Sequence, residues 1–136
     1  MIGATALSAV PGPAQTQTVL AKANAQHAPG VRVEVTELRR TGGNTLMLRM
    51  VIVNESNATF TPGAPERIYL LNPASKLKHK VAKDETGTCL CSRARAIQGK
   101  SRGELWAKFV APPDDVRTLS IVIPKFATVA EVPVAQ

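Results

Sequence analysis

Val31-Arg32-Val33-Glu34-Val35-Thr36-Glu37-Leu38 alternates apolar with polar residues almost without a break. Val31, Val33 and Val35 fall on one face of an extended chain, with Arg32, Glu34 and Thr36 on the other, which is the period of a half-buried strand. Thr41-Gly42-Gly43-Asn44 follows as a turn, because glycine accepts a positive φ without steric cost. Thr45 to Asn54 then sets Leu46, Leu48, Met50 and Ile52 against Met47, Arg49 and Val51. The two alternating runs pair as a hairpin.

The punctuation continues downstream. Glu55 to Pro65 is rich in Ser, Asn, Thr, Gly and Pro and reads as a loop. Short strands follow at Arg67–Leu71, Lys78–Lys83, Thr88–Ser92 and Gly103–Val110, and a final one at Val116–Ile123 is stopped by Pro124. Phe126 to Val134 reads as an edge or tail. Seven strands at intervals of about ten residues, with no convincing helix among them, predict an all-β, immunoglobulin-like antiparallel β-sandwich. A small barrel is the alternative architecture.

Composition bounds the function classes. In 136 residues, 44% are hydrophobic and 20% charged, enough apolar material to form a core. No apolar run reaches the roughly 18 to 20 residues that span a bilayer as a helix. Residues 1–30 hold eight alanines, three prolines and a single charge at Lys22, and we expect a flexible segment there with the domain occupying 31–136. The opening Met1 to Val10 and the small-x-small Ala23-Asn24-Ala25 have the form of a signal remnant, although no Lys or Arg precedes the apolar run. A short helix over Thr18–His27 is compatible with the alanines and glutamines but marginal in isolation.

The net charge is +7, and six of those seven charges arise between residues 76 and 102, where Lys76, Lys78, Lys80, Lys83, Arg93, Arg95, Lys100 and Arg102 face only Asp84 and Glu85. Such a cluster attracts polyanions or an acidic protein surface. Period two would set Lys76, Lys78 and Lys80 on one strand face, either as a contact surface or as the solvated guard of a sheet edge. Nucleic acid is the weaker ligand, because the segment has no aromatic stacking platform. Trp106 alternates outward with Lys108, which would make it a binding anchor, but a sandwich with one tryptophan commonly buries it, and we expect the core.

Cys89 and Cys91 are the two cysteines. We expect a Cys89–Cys91 disulfide, which requires the strand to bend; two buried thiols, a soft-metal site with His79 and Met47 or Met50, and a redox pair are the alternatives. No Gly-rich phosphate loop, His-Glu-x-x-His or Gly-x-Ser-x-Gly pattern is present, and no cofactor or catalytic set is read. Asp84-Glu85 and Asp114-Asp115 fall in turns, where carboxylates cap backbone amides. Asn54-Glu55-Ser56 and Asn57-Ala58-Thr59 match the glycosylation acceptor pattern.

Leu46 to Asn54 with Glu55-Ser56, then Tyr69-Leu70-Leu71-Asn72-Pro73, Lys80-Val81-Ala82-Lys83-Asp84, Gly87-Thr88-Cys89-Leu90-Cys91-Ser92, Leu105-Trp106-Ala107-Lys108-Phe109-Val110-Ala111-Pro112-Pro113 and Ile121-Val122-Ile123-Pro124 resemble the telokin-like group of bacterial extracytoplasmic immunoglobulin-like modules. Modules of this kind stand upstream of OmpA-type peptidoglycan-binding domains, and the likeness covers residues 31–134. It implies a periplasmic or secreted setting and a non-enzymatic role in contacting an envelope protein or an anionic surface polymer. It transfers no catalytic residue. The alternatives are a polyanion or nucleic-acid binder through residues 76–102 and a periplasmic metal or redox protein using Cys89 and Cys91.

Overall fold

The protein, seen here in a computed structural model that describes residues 18–136, pairs its alternating segments into two four-stranded antiparallel sheets. The first sheet contains β1 (Ala21–Asn24), β2 (Val31–Thr41), β3 (Thr45–Asn54) and β6 (Ser101–Val110), in that spatial order. The second contains β5 (Lys78–Lys80), β4 (Tyr69–Leu71), β7 (Thr118–Val122) and β8 (Val129–Pro133), again in spatial order. One 3-10 turn, Pro65–Arg67, leads into β4. β5 lies against β6 on one flank of the sandwich, and β1 against β8 on the other.

The core sits between the sheets. Val33, Val35, Leu46, Leu48, Ile52, Ala107 and Phe109 from the first sheet are fully enclosed against Leu70, Leu119, Ile121 and Val132 from the second. Strict alternation would send Leu38 outward after Val35. A bulge between Val35 and Glu37 absorbs one residue, so Leu38 pairs with Leu48 and is buried. The hairpin turn matches its sequence signal: Gly43 has φ 79° and Asn44 φ 62°.

The sandwich expected from the sequence is therefore present, with eight strands rather than seven. Thr88–Ser92 is not a full strand but touches its neighbours through isolated bridges at Cys89 and Cys91. Two strands come instead from segments read as flexible or tail. β8 pairs with β7, and β1 pairs with β2, within the Thr18–His27 segment for which a helix was compatible but marginal. A ten-residue helix has little stability of its own, whereas an extended chain here satisfies the open edge of β2 and packs Ala21 and Ala23 against the core. Leu20 joins the same sheet, its N–H donating to the Val35 carbonyl at 2.7 Å. Ala23-Asn24-Ala25 lies in and just beyond β1, while Met1 to Val10 lies outside the described residues. Among the described residues no helix is long and apolar enough to cross a membrane.

Candidate binding site on the basic flank

The chain between β4 and β6 closes the flank where β5 meets β6, and it carries seven of the eight basic residues of the 76–102 cluster, with Arg102 at the start of β6. It begins with a tight turn. The Lys76 N–H donates to the Asn72 carbonyl at 2.8 Å, and Lys76 has φ 65°. Lys76 is therefore a turn residue, and only Lys78 and Lys80 share an exposed face of a strand; the expected row of three is a pair. Lys78 Nζ stands 4.8 Å from the centroid of the Tyr69 ring. His79 lies opposite Leu70, and its buried Nε2 has no hydrogen-bond partner among the described residues.

After Lys80 the chain crosses to the first sheet. Val81 bridges Phe109, and Lys83 bridges Cys89 around the loop 84–88. Asp84 organises that loop: its Oδ1 accepts from the Thr86 hydroxyl at 2.7 Å and from the amides of Thr86 and Thr88 at 2.8 and 3.0 Å. The Thr86 hydroxyl, followed by the Thr88 and Thr86 amides, holds the carboxyl below its usual value. This is the capping role read from the sequence.

The sulfurs of Cys89 and Cys91 are at bonding distance, with Cα atoms 5.4 Å apart. Period two alone places such atoms near the limit of reach. The chain is bent here because Leu90 is held on two sides, its N–H donating to Ala82 and its carbonyl accepting from Lys108. Paired sulfurs are not thiolate ligands. Nor are the other candidate metal ligands gathered, since Met50 is buried on the inner face of β3 and Met47 is on the outer face. Among the described residues no three His, Cys, Asp or Glu side chains cluster around a metal-sized gap.

Beyond Cys91 the flank opens. Ser92 still pairs with β6: its N–H donates to the Trp106 carbonyl at 2.9 Å, and its Oγ accepts from the Trp106 N–H at 3.0 Å. The chain then arches away from β6 and is recaptured at Ile97, which exchanges hydrogen bonds with Phe60 and packs over Gly103. Between this arch and the first half of β6 lies an open groove of about 630 Å³, lined by Ser92, Arg93, Arg95, Arg102, Glu104 and Trp106. Asn54 fixes the foot of the arch by donating from Nδ2 to the carbonyls of Ala58, Ile97 and Gln98.

Trp106 is not in the core. Its neighbours Leu105 and Ala107 take the inner face, and Trp106 stands half-buried on the outer face opposite Arg49. It separates the arginine groove from a smaller recess lined by Thr36, Glu37 and Arg49. The sequence isolated Arg93, Arg95, Arg102 and Trp106 individually but not Ser92 or Glu104. Their partnership depends on how far the arch departs from β6, for which neither periodicity nor composition gives a signal.

The arginines of β2 and β3 are compensated. Arg32 pairs with Glu34 and Glu55, Arg39 and Arg49 share Glu37, and Arg40 faces Asp114. On the basic flank no such pairs exist among the described residues. Lys78 and Lys80 lie beside the last residues of β6, while Arg102 sits six residues back from Lys108, roughly 20 Å at the rise of a strand. The flank therefore has two basic groups, and Trp106 belongs to the arginine group.

These features define an all-β sandwich protein with an uncompensated cationic flank and a groove built into it. Compared with protein-family models, curated proteins and solved structures, the chain matches none.

Proposed function

We propose that this protein is a non-enzymatic binding module of the bacterial periplasm or secreted fraction, contacting an anionic envelope partner through the β5–β6 flank. The observation that carries this reading is the asymmetry of charge pairing. Four arginines of β2 and β3 share five ion pairs, and none involves the eight cations of residues 76–102 among the described residues, where the unpaired charge is concentrated. A desolvated or paired cation attracts little, whereas exposed and unpaired cations set a long-range field and remain available for a ligand. The groove at Arg93, Arg95, Arg102 and Trp106 combines guanidinium forks with an aromatic face, a combination suited to carboxylate or phosphate groups on an extended partner. The bonded Cys89–Cys91 pair supports an oxidising compartment.

The test is retention on heparin and on isolated envelope fractions across a salt series, comparing wild type with R93A/R95A/R102A and with K76A/K78A/K80A. The arginine variant should lose more affinity and show a shallower dependence on salt, since fewer counterions are released on binding. Equal binding by all three proteins would remove the flank from function.

A further inference from the structure

We infer that the first half of β6 is a strand-addition site for an extended acidic peptide, an inference that rests on the anionic-partner reading above. Backbone direction is the first ground. Along β6, Trp106 and Lys108 point their N–H and C=O groups away from β3, where Ser92, Leu90 and Ala82 engage them. By the two-residue period, Arg102 and Glu104 point theirs to the same edge. There the chain has left along the arch, and among the described residues nothing bonds them.

An open edge of this kind is normally short or guarded. The other edge strands follow that rule: β1 has four residues, β5 has three, and β8 has five with Pro133 among them. β6 has ten, and its first half lines the arginine groove. A peptide laid there would continue the line of Cys89–Ser92, filling the place that the arch vacates.

Charge and side-chain direction specify the occupant. Arg102, Glu104 and Trp106 project to the outer face, and Arg93 and Arg95 line the opposite wall. With three unpaired arginines against one glutamate, the complementary strand is acidic. Its outward-facing alternate residues would set carboxylates among Arg93, Arg95 and Arg102, with the residues between them facing the other way. A second copy of this chain is a poor occupant because the same flank is basic.

The experiment uses the full chain and an end-blocked octapeptide alternating Glu and Val, with two analogues N-methylated on one or the other alternate set of amides. Strand addition predicts that one methylated set weakens binding at least about tenfold, as expected when several backbone bonds are lost, while the other binds like the parent. It also predicts that the Arg102 and Glu104 amides gain hydrogen-exchange protection in the complex. Equal binding by all three peptides, abolished in R93A/R95A/R102A, would overturn strand addition and leave the anionic-partner reading standing. No peptide binding at millimolar concentration, with heparin or single-stranded DNA bound in its place, would overturn it in favour of a polymer ligand. Failure of peptides, polyanions and envelope fractions alike would overturn both readings.

Discussion

At Asn54 one side chain does the work of a turn. It is 1% exposed, its Nδ2 faces three carbonyls, and its Oδ1 accepts from the amide and the hydroxyl of Ser56 at 3.0 and 2.6 Å. Asn54→Asp would set carboxylate oxygens against those carbonyls, and we expect a loss of about 3 kcal/mol or more in urea unfolding. Asn54→Ala should lose about 2 kcal/mol, because the donor vanishes without introducing repulsion. The same burial means that the acceptor pattern at Asn54 is closed to modification in the folded protein. Asp84 gives a pH prediction. Its folded pKa lies below the ordinary aspartate value of 3.8, so its contribution is present above that value and is lost as pH falls through the lower folded value. The amide resonances of Thr86 and Thr88 should shift together below pH 3.8, and Asp84→Asn should remove that titration. A transition centred above that pH would refute the capping role.

Elements obey the alternation of their residues only where the sheet allows it. The β2 bulge places Thr36 as the additional residue between Val35 and Glu37, so deleting Thr36 restores plain alternation with Leu38 still facing inward. We expect that deletion to keep the fold within about 1–2 kcal/mol of wild type, whereas deletion of Glu34 would throw a set of core valines to the solvent and prevent folding. Circular dichroism and urea unfolding of the two variants decide the point. β3, β6 and β7 were legible because their alternation is long or strongly apolar. β1 was not, since Ala21-Lys22-Ala23-Asn24 has weak strand propensity and becomes a strand only because β2 offers it an edge. Trp106 shows the converse: plain alternation placed it correctly on the outer face, and the general tendency to bury a lone tryptophan misplaced it.

Across the whole molecule, the cations of one flank repel one another without local relief. Replacing Arg93, Arg95 and Arg102 with Ala should leave the protein as stable as wild type or a few tenths of a kcal/mol more stable at 10 mM NaCl, where the screening length is about 30 Å. That difference should vanish in about 1 M NaCl, where the screening length is about 3 Å. Loss of stability in the variant at both salts would mean that the arginines pack the arch rather than wait for a ligand. A basic surface that is neutral or slightly unfavourable for folding fits a role in contact.

Local period and composition are enough to read the fold class, the turns, the apolar faces of the long strands and the location of the charge. Tertiary structure alone decided that Lys76 leaves the lysine row, that Cys89 and Cys91 meet at a bend held by Ala82 and Lys108, and that Arg93, Arg95, Arg102 and Trp106 share one groove. The reason is physical. A groove and an open strand edge are properties of what fails to pair across space, and a chain's pairing partners here stand between ten and more than forty residues apart, as Ser92 with Trp106 and Asn54 with Ile97 do.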